Sequence, residues 1–260
     1  MQIIVLSAGM GSRLMPYTEN LPKCLVKLGD LPILGHQLNL YQKVNIPNES
    51  ITIVGGYLYE KLNTYNLNLI KNENYEKTNM VYSLFCALDK LEIKDDLIIS
   101  YGDIVYEERV LRKLIASNNP ITVVADESWR DLWELRMENI IDDAETFKYD
   151  DQLNIIEIGR RPISLDDIKA QYIGLIKIKK EYIGKIKLIY KNIINSKETN
   201  KSLYENMFMT EFLEKLIKTG IPTRACLIKR GWLEVDTASD LEMYRKLYEN
   251  KALFKFCKLN

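Results

Sequence analysis

Gln2-Ile3-Ile4-Val5-Leu6-Ser7-Ala8-Gly9-Met10-Gly11-Ser12-Arg13-Leu14, with Leu21-Pro22-Lys23 downstream, is a short apolar run that breaks into a glycine loop and then gains a lysine. An apolar, β-branched run of this length ended by glycines reads as a buried strand of an α/β sheet. Gly9 and Gly11 let the backbone approach a ligand and turn its N–H groups toward phosphate oxygens. Arg13 and Lys23 bring two cations to the same loop. This set suits a nucleoside triphosphate. Two better-known phosphate loops do not fit. The dinucleotide fingerprint needs a third small residue where Leu14 stands, and the P-loop needs a Gly-Lys-Ser/Thr run that the chain lacks. A plain strand-to-helix turn with two surface cations uses the same residue types.

Outward from that loop, apolar runs alternate with segments of helical period, the pattern of an α/β fold with a mostly parallel central sheet flanked by helices. Strands are predicted over Gln2–Leu6, Ser50–Val54, Leu67–Lys71, Asp96–Ser100 and Ile121–Ala125. Helices are predicted over Pro32–Lys43, Leu58–Tyr65, Met80–Leu91 and Glu107–Ser117. After Asp126 the pattern changes, and Glu145–Tyr149, Ile155–Ile158 and Tyr172–Ile178 read as short, partly antiparallel strands. Glu181–Ile194 and Met209–Thr219 read as helices, Pro222–Ile228 as a returning strand, and Thr237 as the cap of a closing helix Ala238–Tyr248. The Asn- and Lys-rich stretch 192–201 reads as an exposed, mobile connection. No repeat or linker divides the chain. It is read as one domain, 1–260, with a nucleotide half (1–125), an acceptor half (126–236) and a C-terminal helix (237–260).

The 260 residues can bury one substantial core. Lys plus Arg (36) balances Asp plus Glu (36), so no basic field attracts nucleic acid or acidic membrane. The opening run lacks a basic leader and nothing approaches a bilayer span, so a cytoplasmic protein is expected. Cys24, Cys86, Cys226 and Cys257 are scattered without Cys-x-x-Cys, which fits a reducing compartment and argues against a metal cluster. Cys24 adjoins Lys23, a neighbour able to lower a thiol pKa, but a packing role is expected. The single histidine, His36, is expected to cap or flank a helix. Without a second histidine, a His-based hydrolase or zinc enzyme is hard to build. The chemistry falls to carboxylates, cations and bound Mg²⁺.

In open α/β sheets ligands sit beyond the carboxyl ends of the strands. That rule gathers the loop after Leu6, Gly55-Gly56 after Val54, Gly102-Asp103 after Ser100, and Asp126 after Ala125 at one cleft. Asp103 and Asp236 can hold Mg²⁺ against triphosphate oxygens, and each would serve equally as a turn or cap residue. Asn79 and Ser83 share one helix face and can hydrogen-bond a pyrimidine edge and ribose, with Asn79 also a natural N-cap. Gly55-Gly56-Tyr57 would let the backbone pass the base, with Tyr57 closing its edge. If 126–136 is a helix, Trp129, Trp133 and Arg136 share a face. Two indoles can enclose a quaternary ammonium, Arg136 can clamp a carboxylate, and packing aromatics with a surface Arg show the same spacing. Arg160-Arg161-Pro162 and Gln171-Tyr172-Ile173-Gly174 are expected to bound that pocket, where Arg160 could meet a phosphate and Glu145 or Asp126 an ammonium.

Leu6-x-Ala8-Gly9-x-Gly11-Ser12-Arg13-Leu14 with Leu21-Pro22-Lys23 resembles the signature of the nucleotidyltransferases that make nucleotide-activated sugars and alcohols, and within them the cytidylyltransferase branch. Supporting stretches follow in order: Val54-Gly55-Gly56-Tyr57, Thr78-Asn79-Met80-Val81-Tyr82-Ser83, Ile99-Ser100-Tyr101-Gly102-Asp103-Ile104-Val105-Tyr106, Asp143-Ala144-Glu145-Thr146-Phe147 and Gly231-Trp232-Leu233-Glu234-Val235-Asp236-Thr237. The resemblance implies a Rossmann-like, GT-A-like nucleotidyltransferase fold with a small antiparallel extension on the acceptor side. It implies CTP as donor, Lys23 on the α-phosphate and incoming phosphate, Arg13 on the β,γ-phosphates, and Mg²⁺ on Asp103 and Asp236. Leu6, Ala8, Gly9, Gly11, Ser12, Gly55, Tyr57, Asn79, Ser83 and Gly102 would surround the nucleotide, and Trp129, Trp133, Arg136, Glu145, Arg160 and Tyr172 the acceptor. The implied acceptor is L-glutamine phosphate, for capsular phosphoramidate synthesis; phosphocholine and a sugar 1-phosphate are the alternatives. Residue 101 is Tyr, so the Asp-x-Asp of nucleotide-sugar glycosyltransferases is absent, which favours making activated donors over consuming them. A non-catalytic nucleotide-sensing module is the reading from another class. Intact Arg13, Lys23, Asp103 and Asp236 speak against it.

Overall fold

Strand β1 (Gln2–Ser7) lies inside a seven-stranded sheet, as its run of buried apolar residues requires. Alternation along it feeds two cores: Ile3 and Val5 pack into one layer, Ile4 and Leu6 into the other. The computed structural model describes residues 1–196 and 201–259. A small hairpin, β2 (Lys27–Leu28) and β3 (Leu31–Pro32), leads into helix α1 (Ile33–Lys43). There follow β4 (Ile51–Gly55), β5 (Asn68–Lys71), α2 (Met80–Leu88), β6 (Leu97–Tyr101), β7 (Ile104–Tyr106), α3 (Glu108–Ile115) and β8 (Ile121–Asp126). The second half holds α4 (Trp129–Arg136), β9 (Phe147–Tyr149), β10 (Ile155–Ile158), β11 (Gln171–Ile178), α5 (Lys180–Asn195) and α6 (Lys201–Glu205). It closes with α7 (Met209–Lys218), β12 (Thr223–Ile228), β13 (Trp232–Glu234) and α8 (Ala238–Glu249).

The strand order is β12-β8-β11-β6-β1-β4-β5. β1 pairs in parallel with β4 and β6, β4 with β5, and β12 with β8. β11 runs antiparallel between β6 and β8. Helices α1, α3, α4 and α8 cover one face, and α2, α5 and α7 cover the other. The predicted mostly parallel α/β architecture is therefore found. Among the described residues three short antiparallel pairs lie outside the main sheet: β2 with β3, β9 with β10, and β7 with β13.

Several local expectations need correction. Residues 58–65 form 3-10 turns from Tyr59 to Tyr65, bounded by left-handed Leu58 (φ 47°) and Asn66 (φ 49°), where an α-helix was predicted. His36 neither caps nor flanks α1; it sits buried within it, its Nε2 2.8 Å from the Leu28 carbonyl oxygen. Thr237 does cap α8, its hydroxyl accepting from the Asp240 N–H at 3.1 Å. Of the predicted connection 192–201, residues 192–195 belong to α5, which continues to Asn195, and 197–200 lie outside the described residues. Among the described residues no helix is long and apolar enough to cross a membrane.

Candidate active site

The loops after β1 and β6 lie side by side because the Gly102 N–H donates to the Leu6 carbonyl at 2.8 Å. A Cβ on Gly102 would stand 2.7 Å from the Ser7 Cβ and 2.9 Å from the Leu6 carbonyl oxygen, so only glycine permits this approach. Gly11 takes the left-handed conformation (φ 61°), and the Thr18 hydroxyl donates to its carbonyl at 2.8 Å. A cavity of about 330 Å³ opens at these loops. Of the expected residues it is lined by Leu6, Ala8, Gly9, Gly11, Ser12, Arg13, Lys23, Asn79, Ser83, Gly102, Asp103 and Asp236. Ser7, Tyr75, Thr78, Met80, Tyr101 and Glu234 also line it and were not anticipated.

At the cavity floor the Lys23 Nζ lies 2.7 Å from Asp103 Oδ2 and 2.9 Å from Asp236 Oδ1. Arg13 Nη1 lies 2.9 Å from Asp236 Oδ2. The two aspartates meet because β7 and β13 pair, and the ladder is extended by the Val235 N–H donating to the Asp103 carbonyl at 2.9 Å. Lys23 is only 13% exposed. Burial pulls its ammonium pKa down, but the charges of Asp103, Asp236 and Glu234 outweigh that, and the net shift is upward. Burial raises the pKa of Glu234, and the nearby Arg136 guanidinium opposes it only in part. Cys24, next to Lys23, is fully buried, and burial pushes its thiol up to about 12.

Among the described residues no group of three or more His, Cys, Asp or Glu side chains could hold a metal on protein ligands alone. Asp103 nevertheless keeps its Oδ1 buried without a hydrogen-bond partner, at the wall of a cavity that Asp236 also lines. Two carboxylates and a phosphate-sized space fit Mg²⁺, which takes one or two carboxylates and completes its shell with phosphate oxygens and water.

On the far wall, Asn79 caps α2 by accepting from the Met80 N–H at 2.8 Å. The buried Ser83 hydroxyl accepts from Asn72 Nδ2 at 3.0 Å. Gly55 and Tyr57 do not line the cavity. Tyr57 braces the loop from outside, its N–H donating to the Ala8 carbonyl and its hydroxyl to the Glu19 carbonyl, both at 3.0 Å. Tyr75 stands edge-on to Tyr57 and reaches the cavity, as does Tyr101.

The acceptor-side residues scatter. Trp129 and Trp133 are 1% and 4% exposed and pack edge to face at 5.8 Å, so they belong to the core and enclose no ligand. The Arg136 side chain has no exposure and is spent on Asp240 and Glu234. Arg160 pairs with Glu214 and Glu157 on the surface. Asp126 is buried under Trp232, Arg230 and Ser128, because the intervening β11 separates its strand from β6. Tyr172 packs edge-on against Tyr101 with its hydroxyl buried and unpartnered, and both rings feel the charges of Glu145 and Asp103. Glu145 is partly buried; among the described residues the Thr210 hydroxyl at 3.4 Å is the only hydrogen-bond partner of its carboxylate. It lines a second concavity with Asp142, Asp143, Gly159, Arg160 and Arg161.

Residues 3–154 match the MobA-like NTP transferase domain. The chain is 40% identical over 253 residues, 94% of its own length and 98% of the relative's, to CTP:phosphoglutamine cytidylyltransferase of Campylobacter jejuni. It is 32% identical over 121 residues to choline-phosphate cytidylyltransferase of Streptococcus pneumoniae, spanning 45% of this chain and 51% of that one. Among solved structures, CTP:phosphocholine cytidylyltransferase from Streptococcus pneumoniae superposes with a TM-score of 0.71 at 21% identity, over 95% of this chain and 98% of that one. The inositol-1-phosphate CTP transferase of T. maritima gives 0.70 at 21% identity, over 95% and 96%. The glycine loop, the lysine between two aspartates and this near full-length similarity place the chain in the MobA-like NTP transferase family, on its cytidylyltransferase branch.

Proposed function

We propose that the chain transfers CMP from CTP to a small phosphorylated acceptor, L-glutamine phosphate, releasing CDP-L-glutamine and pyrophosphate. The observation that carries this reading is Lys23 held between Asp103 and Asp236 at the mouth of the glycine loop. The acceptor follows from the phosphoglutamine enzyme, which matches along nearly its whole length, whereas the choline-phosphate enzyme of Streptococcus pneumoniae matches over about half. Glu145, a partly buried carboxylate with no cation partner among the described residues, suits the ammonium of an amino-acid phosphate. The cellular setting we infer is the cytoplasmic stage of capsule modification.

In the reaction an oxygen of the acceptor phosphate attacks the α-phosphorus of CTP in line. A new P–O bond forms, the α-phosphorus-to-bridging-oxygen bond breaks, and the electron pair leaves with pyrophosphate. The attacking oxygen is already anionic near neutral pH, so no general base is required. The work left is positioning and charge neutralisation. Lys23 steadies the α-phosphate and the incoming phosphate, and Arg13 the β,γ-phosphates. Backbone N–H groups of the loop after Ser7 cradle the triphosphate, with Asn79 and Ser83 beside the base and ribose. Asp103 and Asp236 would hold Mg²⁺, which when bound neutralises triphosphate charge and stabilises the leaving pyrophosphate.

The test is pyrophosphate release with Mg²⁺, comparing CTP, UTP and ATP against L-glutamine phosphate, phosphocholine and sugar 1-phosphates. Turnover of CTP with L-glutamine phosphate is expected to exceed every other pair. Turnover confined to phosphocholine would overturn the acceptor, and nucleotide binding without turnover of any pair would make the chain a sensing module.

A further inference from the structure

Behind the pocket lies a guanidinium with no solvent exposure. Arg136, at the end of α4, places Nε and Nη2 each 3.1 Å from the two oxygens of Asp240, and Nη1 3.1 Å from Glu234. Its other side rests over the Trp133 ring at 5.4 Å, and that indole is anchored in the core. The same Asp240 Oδ2 that receives Nη2 also accepts from the backbone N–H groups of Asp236 at 3.2 Å and Thr237 at 2.9 Å. Arg136 thus grips the chain on both sides of Asp236, through Glu234 before it and Asp240 after it. A bidentate Arg–carboxylate pair fixes geometry as well as charge, and a lysine cannot reproduce its fork.

We propose that Arg136 is a positioning residue for nucleotidyl transfer: by clamping Asp240 and Glu234 it sets where Asp236 presents its carboxylate to Lys23 and to the phosphates. This rests on the nucleotidyl-transfer reading above. An ion pair that merely joined α4 to α8 would change melting and leave the kinetics of the folded enzyme alone. The clamp acts on one carboxylate, and its loss should be felt through that carboxylate.

The experiment pairs two readouts on Arg136→Lys: amide hydrogen exchange at Asp236 and Thr237, and steady-state kinetics in the wild-type and Asp236→Asn backgrounds. Exchange at the two amides is expected to quicken roughly tenfold or more while β1 and β6 stay protected. kcat should fall about 10- to 100-fold, the range for groups that orient a metal-site ligand, with KM for both substrates moving less than about threefold. In the Asp236→Asn background the same change should cost less than about threefold further, because the carboxylate being placed is gone. An unchanged kcat in folded Arg136→Lys, or an equal loss in both backgrounds, would overturn the proposal. If the lysine variant does not fold, Arg136→Met with Asp240→Asn removes both charges together, and the same readouts carry the same expectations. Should the wild type release no pyrophosphate from any pair, the activity reading fails by itself, while exchange at Asp236 still decides whether Arg136 holds that segment.

Discussion

Without Lys23, Asp103 and Asp236 would face one another across the cavity floor with no ammonium between them. On the proposed reading the same change also strips the α-phosphate of a cation while charge moves onto the leaving oxygen. Lys23→Ala is therefore expected to lower kcat by about 10²-fold or more, the scale for losing one contact to transition-state charge, read as pyrophosphate release at saturating CTP. Wild-type turnover would remove Lys23 from the mechanism. The neighbouring thiol behaves oppositely. Cys24 is buried with its pKa pushed up to about 12, so almost none of it is thiolate at pH 8. The Lys23 ammonium beside it in sequence is turned to the carboxylates, and adjacency did not become activation. With a thiol reagent at pH 8, Cys86 is expected to react first and Cys24 only on unfolding, because Cys86 is partly exposed while the other three are buried. Prompt labelling of Cys24 in peptide mapping would contradict this.

Asp96 shows how one carboxylate ties several elements together. It precedes β6, accepts from the Lys180 N–H that opens α5 at 3.1 Å, and pairs with Lys177 of β11 at 3.3 Å and Lys179 at 3.2 Å. Burial would raise its pKa, but the Lys180 N–H and the two ammonium groups outweigh burial, and the net shift is downward. A depressed native pKa stabilises the fold above the unfolded value of about 3.9 and loses that contribution as pH falls through the native one. Asp96→Asn is expected to cost about 1.5–3 kcal/mol at pH 7, the range for hydrogen bonds to a charged group. Denaturation from pH 7 to pH 3 should show the gap to wild type closing below about pH 4, where the wild-type carboxylate also loses its charge. A pH-independent gap would mean that shape and not charge is at work. Elements of this kind were legible wherever periodicity ran long enough: β1, β4, β6, β8, α1, α3, α5, α7 and α8 fall within a residue or two of their predicted ranges, while α2 ends at Leu88, three residues short. The β7–β13 ladder escaped, since three residues show no period, and it is this ladder that joins Asp103 to Asp236. The 3-10 turns from Tyr59 to Tyr65 read as a helix because spacing alone does not register the left-handed residues at either end.

Across the whole molecule, the gathering of residues at the glycine-loop cavity was readable because a parallel sheet delivers its strand ends to one edge, whatever the loops contain. Ser7, Gly102 and the loop residues between Ala8 and Arg13 meet there for that reason. The acceptor side was not, because the antiparallel β11 interposes itself and moves Asp126 away, and because the expected tryptophan face of α4 turns into the core. The same assembly makes a global measurement informative. Lys23, Asp103 and Asp236 come from three distant parts of the chain, so a ligand that engages them all binds the folded state alone. CTP with Mg²⁺ at a hundredfold excess over its Kd should then add about 2.7 kcal/mol of stability. For a chain of this size that is a rise of about 5–10 °C in Tm, at roughly 2–4 °C per kcal/mol. Because the two carboxylates and the triphosphate are all negative, CTP with a chelator should give only a small part of that rise, and Asp236→Asn should lose most of the metal-dependent part. Equal stabilisation by CTP with and without chelator would separate the aspartates from metal binding and leave the phosphates to Lys23, Arg13 and the backbone N–H groups of the loop.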